Sequence, residues 1–155
     1  EIYKDITCTV INYNCSKSGL KQAIDDHDRI IMLGHGGPQG LFGYGRIFID
    51  STLVYLLRGK TNNVYIWCNA DKFVEKYKLK GFTTGMIISE YLEAVIYSMP
   101  QVKLEEINES NEQFARVIKN KINLEPKLMC EGVKQEYNSD KNLIIQFNNK
   151  NIYNF

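Results

Sequence analysis

Apolar residues along this chain fall into short runs, separated by polar and glycine-rich stretches that break any long period. Residues 6–13 hold β-branched and aromatic side chains (Thr7, Val10, Ile11, Tyr13) and read as a strand. A polar break at residues 16–19 precedes a short helical stretch ending near Asp26. Residues 29–33, RIIML, are too few for a helix and do not alternate. That is the pattern of a central strand buried on both faces. Residues 34–45 are dense in glycine and include Pro38, which predicts irregular chain. Residues 46–49 read as a short strand. Asp50 or Ser51 then caps a helix over 52–58, and Gly59 stops it.

Asn62 and Asn63 turn the chain into residues 64–67, VYIW, a second buried-strand pattern that ends at Cys68. Residues 71–77 read as a helix and 79–85 as a loop. Residues 86–97 read as a long helix with Met86, Ile87, Tyr91, Leu92, Val95 and Ile96 on its apolar side. Residues 109–122 read as a further amphipathic helix with Phe114, Val117, Ile118 and Ile122 inward. Residues 127–130 and 143–147 are the last strand candidates, the latter an exposed edge able to pair between chains. Residues 148–155 read as a polar turn or frayed tail.

Strands alternating with helices predict an α/β fold: a three-layer α/β/α sandwich with a central, mostly parallel sheet. The 155 residues suit one domain spanning 1–155. In such sheets chemistry collects at the carboxyl ends of the strands. His35 stands two residues after RIIML and Cys68 directly after VYIW, so both polar candidates fall at that edge.

Composition narrows the classes of function. A hydrophobic fraction of 44% with 24% charged residues is that of a globular protein. A net charge of +1 gives no electrostatic case for a nucleic-acid partner. The apolar runs are too short to span a bilayer, so no membrane partner is expected. Four cysteines (Cys8, Cys15, Cys68, Cys130) form no CxxC pair, which argues against a structural zinc site. A domain of this size needs no disulfides. The expectation is a cytoplasmic, reducing location with no metal or organic cofactor.

A thiolate nucleophile needs a neighbour that takes its proton and later protonates a leaving group, and imidazole suits both steps. Adjacent parallel strands lie about 5 Å apart, so residues at the ends of two of them can meet. Gly36, with no side chain to block a substrate, can offer its N–H to a developing oxyanion. The N–H of Cys68 can supply a second donor.

These segments, IIMLGHGG at residues 30–37 and VYIWCNA at 64–70, resemble the signature of the caspase-like cysteine peptidases, the superfamily of caspases, gingipains, legumains and separases. That signature is an apolar strand followed by His-Gly, then a second apolar strand followed by the catalytic Cys. The likeness covers roughly residues 5–98. It implies a caspase-like fold, a peptide or protein substrate and cysteine endopeptidase activity. His35 is then the base, Cys68 the nucleophile, and Gly36 with Cys68 the oxyanion donors. The caspases proper carry Gln-Ala-Cys where this chain has Ile66-Trp67-Cys68, so the likeness is to a short, divergent member. Substrate-binding candidates by position are Asn14, Asp71 and Glu90. Phe42, Tyr44 and Phe48 are candidates for a cleft wall, and residues 81–85 for a loop that lines or gates it.

Two other readings stay open. The same fold without catalysis makes a binding or interaction module. Alternatively, residues 34–40, GHGGPQG, cradle a phosphate in a small nucleotide-binding α/β protein. His27, flanked by Asp25, Asp26 and Asp28, reads as a solvated loop residue. The oligomeric state is open.

Overall fold

The computed structural model describes residues 6–12, 14–43 and 45–155. Helix α1 (Lys17–Asp25) opens at Ser16, whose hydroxyl accepts the Gly19 N–H at 3.0 Å, and buries Leu20 and Ile24. The RIIML run forms β1 (Ile31–Leu33). Two further short strands follow, β2 (Gly36–Gly37) and β3 (Gly40–Gly43), then β4 (Arg46–Ile49). They make a small antiparallel sheet in the order β2-β3-β4. The glycine-rich stretch is therefore partly regular: pairing with β4 supplies a tertiary constraint that residue propensity does not contain.

A 3-10 turn at Ser51–Leu53, capped by Asp50, continues into α2 (Val54–Leu57). The VYIW run forms β5 (Asn63–Ile66), which lies parallel to β1 with Ile31, Met32 and Leu33 beside Val64, Tyr65 and Ile66. Helix α3 (Ala70–Tyr77) follows, and then β6 (Gly81–Thr84), again parallel to β5. Residues 81–84 are thus a strand where a loop over 79–85 was expected. The glycines at 81 and 85 hide this four-residue strand from a propensity reading, yet all four of its residues are buried. Gly81, at φ +143°, is required at the crossing, because a Cβ there would lie 2.2 Å from the Asn63 carbonyl oxygen.

The rest of the chain is α4 (Tyr91–Ile96), α5 (Leu104–Lys121), α6 (Pro126–Glu136), α7 (Leu143–Lys150) and β7 (Ile152–Asn154). The expected helix over 86–97 shortens to its last turns, since residues 86–90 are held as a loop. The expected strands at 127–130 and 143–147 are helical. Pro126 sits in the first turn of α6, and Met129 and Val133 bury at a spacing of four. Asn142 caps α7 by accepting the N–H groups of Ile144 and Ile145. Residues 148–155 are the end of α7 and an edge strand, not a frayed tail. β7 completes the main sheet antiparallel to β6, giving the order β1-β5-β6-β7. Residues 6–12 form no strand, and Tyr13, in the same predicted element, lies outside the described residues.

The fold is therefore mixed α/β with a mostly parallel main sheet. Alternation along its strands divides the core. Met32, Tyr65 and Trp67 pack with Leu20, Leu57 and Phe73, whereas Ile31, Val64 and Ile66 pack with Phe82, Ile118 and Met129. Among the described residues no helix is long and apolar enough to cross a membrane.

Candidate active site

Strand register sets the two halves of the site. Leu33 pairs with Ile66, and the Gly34 N–H donates to the Ile66 carbonyl at 3.0 Å. His35 and Cys68 each follow two residues after that matched pair, at the same edge of the sheet. Trp67 fastens the segments together: its Nε1–H donates to the Gly37 carbonyl at 3.1 Å. Gly36 lies against the same indole, where a Cβ would be 2.3 Å from Trp67 Cδ1 and 2.6 Å from the Gly40 carbonyl. The His-Gly loop thus rests on the residue that precedes Cys68.

The turn at Cys68 is tightly held. The Trp67 carbonyl accepts from the Ala70 N–H at 3.2 Å and from Thr84 Oγ1 at 2.9 Å. The Asn69 N–H donates to the Gly85 carbonyl at 2.9 Å. Asn69 takes the left-handed conformation (φ 62°, ψ 32°), which asparagine tolerates better than most residues, and α3 begins one residue later. Among the described residues no carbonyl accepts the Cys68 N–H. A donor so placed is available to a developing negative charge.

The thiol itself is half-buried and held protonated. Its S–H donates to the Ile87 carbonyl at 3.5 Å. Burial pushes its pKa up, and the Glu93 and Glu90 carboxylates push the same way. His35 is exposed on its loop, and its carbonyl accepts the Phe42 N–H at 2.8 Å. No hydrogen bond joins His35 to Cys68 in this structure. The pair shares a sheet edge, while the sulfur points its proton at the loop after β6.

The other expected residues are more scattered. Asn14 is exposed between residues 12 and α1, with its N–H on Asn12 Oδ1 at 3.1 Å. Asp71 is buried in the first turn of α3; Oδ2 lies 3.4 Å from Lys72 Nζ and Oδ1 has no partner. Glu90 caps α4, within electrostatic reach of the thiol. Gly36 is drawn into β2 opposite Leu41. Phe42 is exposed and lines the same apolar cavity as His35, Phe48 packs against the core, and Tyr44 lies outside the described residues. His27 is not simply solvated: Nδ1–H donates to the Ala23 carbonyl at 2.8 Å and Nε2 accepts from Thr9 Oγ1 at 3.1 Å. Residues 34–40 run into β2 and β3 instead of opening a helix, so they lack the cluster of helix N-terminal donors that a phosphate cradle uses.

The residues that sequence reasoning missed form the support beneath Cys68. Asn148 Nδ2 donates to the Ile88 carbonyl at 2.9 Å, and Asn148 Oδ1 accepts the Ile88 N–H at 2.7 Å. This two-point clamp holds the loop that carries Ile87. Asn148 is in turn braced by Tyr137, whose hydroxyl lies 3.1 Å from its Nδ2 and 2.7 Å from Ser110 Oγ. Glu93 Oε2 gathers the N–H groups of Ser89 and Glu90. Glu90 and Glu93 form a capping box at the start of α4, which a helix read from residue 86 conceals. Asn148 lies 60 positions from Ile88, beyond any local signal.

All four cysteines are free, and no group of three or more His, Cys, Asp or Glu side chains among the described residues can hold a metal ion. No family model, curated protein or solved structure matches the chain significantly.

Proposed function

We propose that this protein is a cysteine-dependent hydrolase of peptide or similar amide bonds, a short, divergent member of the caspase-like type with its α/β fold arranged as a three-layer sandwich. The observation that carries this reading is the common register of His35 and Cys68 at one sheet edge, fastened by Trp67 against Gly36 and Gly37. Because the resting thiol is protonated, His35 takes its proton as sulfur attacks the substrate carbonyl. The C–S bond forms and the oxyanion gathers on the N–H groups of Cys68 and Gly36. Imidazolium then protonates the leaving amine as the C–N bond breaks, and water activated by His35 hydrolyses the thioester. The attack requires the S–H to leave the Ile87 carbonyl and turn toward His35.

A second reading has its own support. A thiol bonded to a carbonyl and pushed toward its protonated form fits a fold that binds peptide without cutting it. Two assays separate the readings: cleavage of a peptide library by wild type, Cys68→Ala and His35→Ala, and alkylation of Cys68 across pH. Cleavage lost in both variants, with alkylation near neutral pH slowed by His35→Ala, is the expected result. Cleavage that persists in Cys68→Ala removes the proposed nucleophile. No cleavage by wild type, with alkylation indifferent to His35, selects the binding module.

A further inference from the structure

The first strand of the main sheet, β1, has one neighbour, β5, and its other edge is open among the described residues. Natural edge strands are guarded by charge, proline or bulges. β1 has none of these. Ile31 packs into one core cluster and Met32 into the other, the pattern of a strand with neighbours on both sides. Beside this edge lies an apolar cavity of about 710 Å³, lined by β1, by Ile6 and residues 8–12, and by side chains of α1, β3 and β4.

Those residues form an unfinished wall. No backbone hydrogen bond joins residues 6–11 to another described residue; Ile6 and Ile11 rest against the core clusters and Thr9 Oγ1 meets His27. Val10 is 60% exposed, although its neighbours are β-branched and apolar. The order of elements supplies the remaining argument. With residues 6–12 as a strand, the order of that segment, helix α1 and β1 is that of a strand–helix–strand crossover. Consecutive strands are neighbours about two-thirds of the time, and a parallel crossover between them is right-handed almost without exception. Here the helix and the second strand are in place, and residues 6–12, without strand pairing, line the cavity beside β1.

We propose that residues 6–12 are a strap that closes onto β1 as a fifth, parallel strand, filling the cavity. The inference is independent of the chemistry proposed for Cys68. Closure buries Val10 and Ile11 and pairs the outward groups of β1. Parallel direction carries Asn12 to the carboxyl edge of the sheet, so Asn14 comes to the side of His35. The open form leaves that side of His35 exposed along the cavity.

The phase of the β1–β5 ladder makes the test specific. Gly34 N–H bonds the Ile66 carbonyl and the Ile30 carbonyl accepts from Val64. By alternation, the Met32 N–H faces β5, and the Ile31 and Leu33 N–H groups face the open edge. Amide hydrogen exchange, read residue by residue in wild type and in the double variant Val10→Pro/Ile11→Pro, decides the matter, since a proline cannot donate to a ladder. The expected result is slow exchange at Ile31, Met32 and Leu33 in wild type. In the double variant Ile31 and Leu33 should accelerate by at least about tenfold, with Met32 unchanged. Fast exchange at Ile31 and Leu33 in wild type beside a slow Met32 overturns the strap. Slow exchange at both in the double variant also overturns it, because something other than residues 6–12 then covers the edge. If the double variant loses protection at Met32, it has lost the sheet, and the wild-type Cα and Cβ shifts of residues 7–11 decide instead: strand values support the strap and coil values refute it.

Discussion

At the scale of single residues the site is governed by contact and by charge. Gly36 has no room for a methyl group between Trp67 and the Gly40 backbone. Gly36→Ala is expected to cost about 1–3 kcal/mol in denaturant unfolding, the usual toll of overpacking, and to part the His-Gly loop from Cys68. The thiol has the opposite difficulty, too much negative charge nearby. Glu90→Gln keeps a side-chain oxygen for the α4 cap and removes one carboxylate from the field at sulfur. Alkylation of Cys68 at pH 8 should then accelerate by roughly two- to threefold. An unchanged rate would leave the upward shift to burial and Glu93.

At the scale of elements, what matters is how each one ends. Helix α3 stops at Lys78 in the left-handed region (φ 53°), where its N–H bonds the Val74 and Glu75 carbonyls. Glycine is the natural residue there, and Lys78→Gly should raise stability by about 1 kcal/mol, seen as a higher thermal midpoint. The segment 86–90 has an apolar helical pattern yet stays a loop, because Asn148 takes both backbone groups of Ile88. Asn148→Ala leaves those groups buried without partners and should cost about 2–4 kcal/mol. Restoring the hydrogen bonds with Asn148→Gln is not expected to rescue it, since the longer side chain has no room at a position 1% exposed.

For the molecule as a whole, burial of titratable groups sets the response to alkali. The Tyr65 hydroxyl accepts from Asn63 Nδ2 inside the core, and burial pushes its pKa up from 10.0 to about 12. Burial also raises Cys68 and Tyr137. A group that holds its proton more tightly when folded adds stability below its unfolded pKa, and that stability drains away as pH rises through the folded value. The urea midpoint should therefore fall from the ordinary thiol range upward, most steeply between about pH 10 and 12. Tyr65→Phe should remove about 2–3 kcal/mol of that alkaline loss, two pKa units at about 1.4 kcal/mol each. Equal slopes in variant and wild type would mean Tyr65 ionises without unfolding the core.

The chain by itself determined the parts that depend on local sequence. Two apolar runs too short for helices became adjacent parallel strands, and the residues following them, His35 and Cys68, came to one sheet edge. Ser16, Asp50 and Gly36 did what their chemistry requires of caps and close contacts. Tertiary structure decided the rest. Gly81–Thr84 became a central strand because burial between β5 and β7 orders Phe82, Thr83 and Thr84 and tolerates Gly81 at the close approach to Asn63. Residues 143–147 became a helix although they read as a strand, since a short apolar run satisfies either period and the Asn142 cap and core contacts select one. The direction of the Cys68 proton was beyond sequence altogether. It depends on a carbonyl 19 residues away, held by a clamp from the far end of the chain, and such pairings leave no mark on any local pattern.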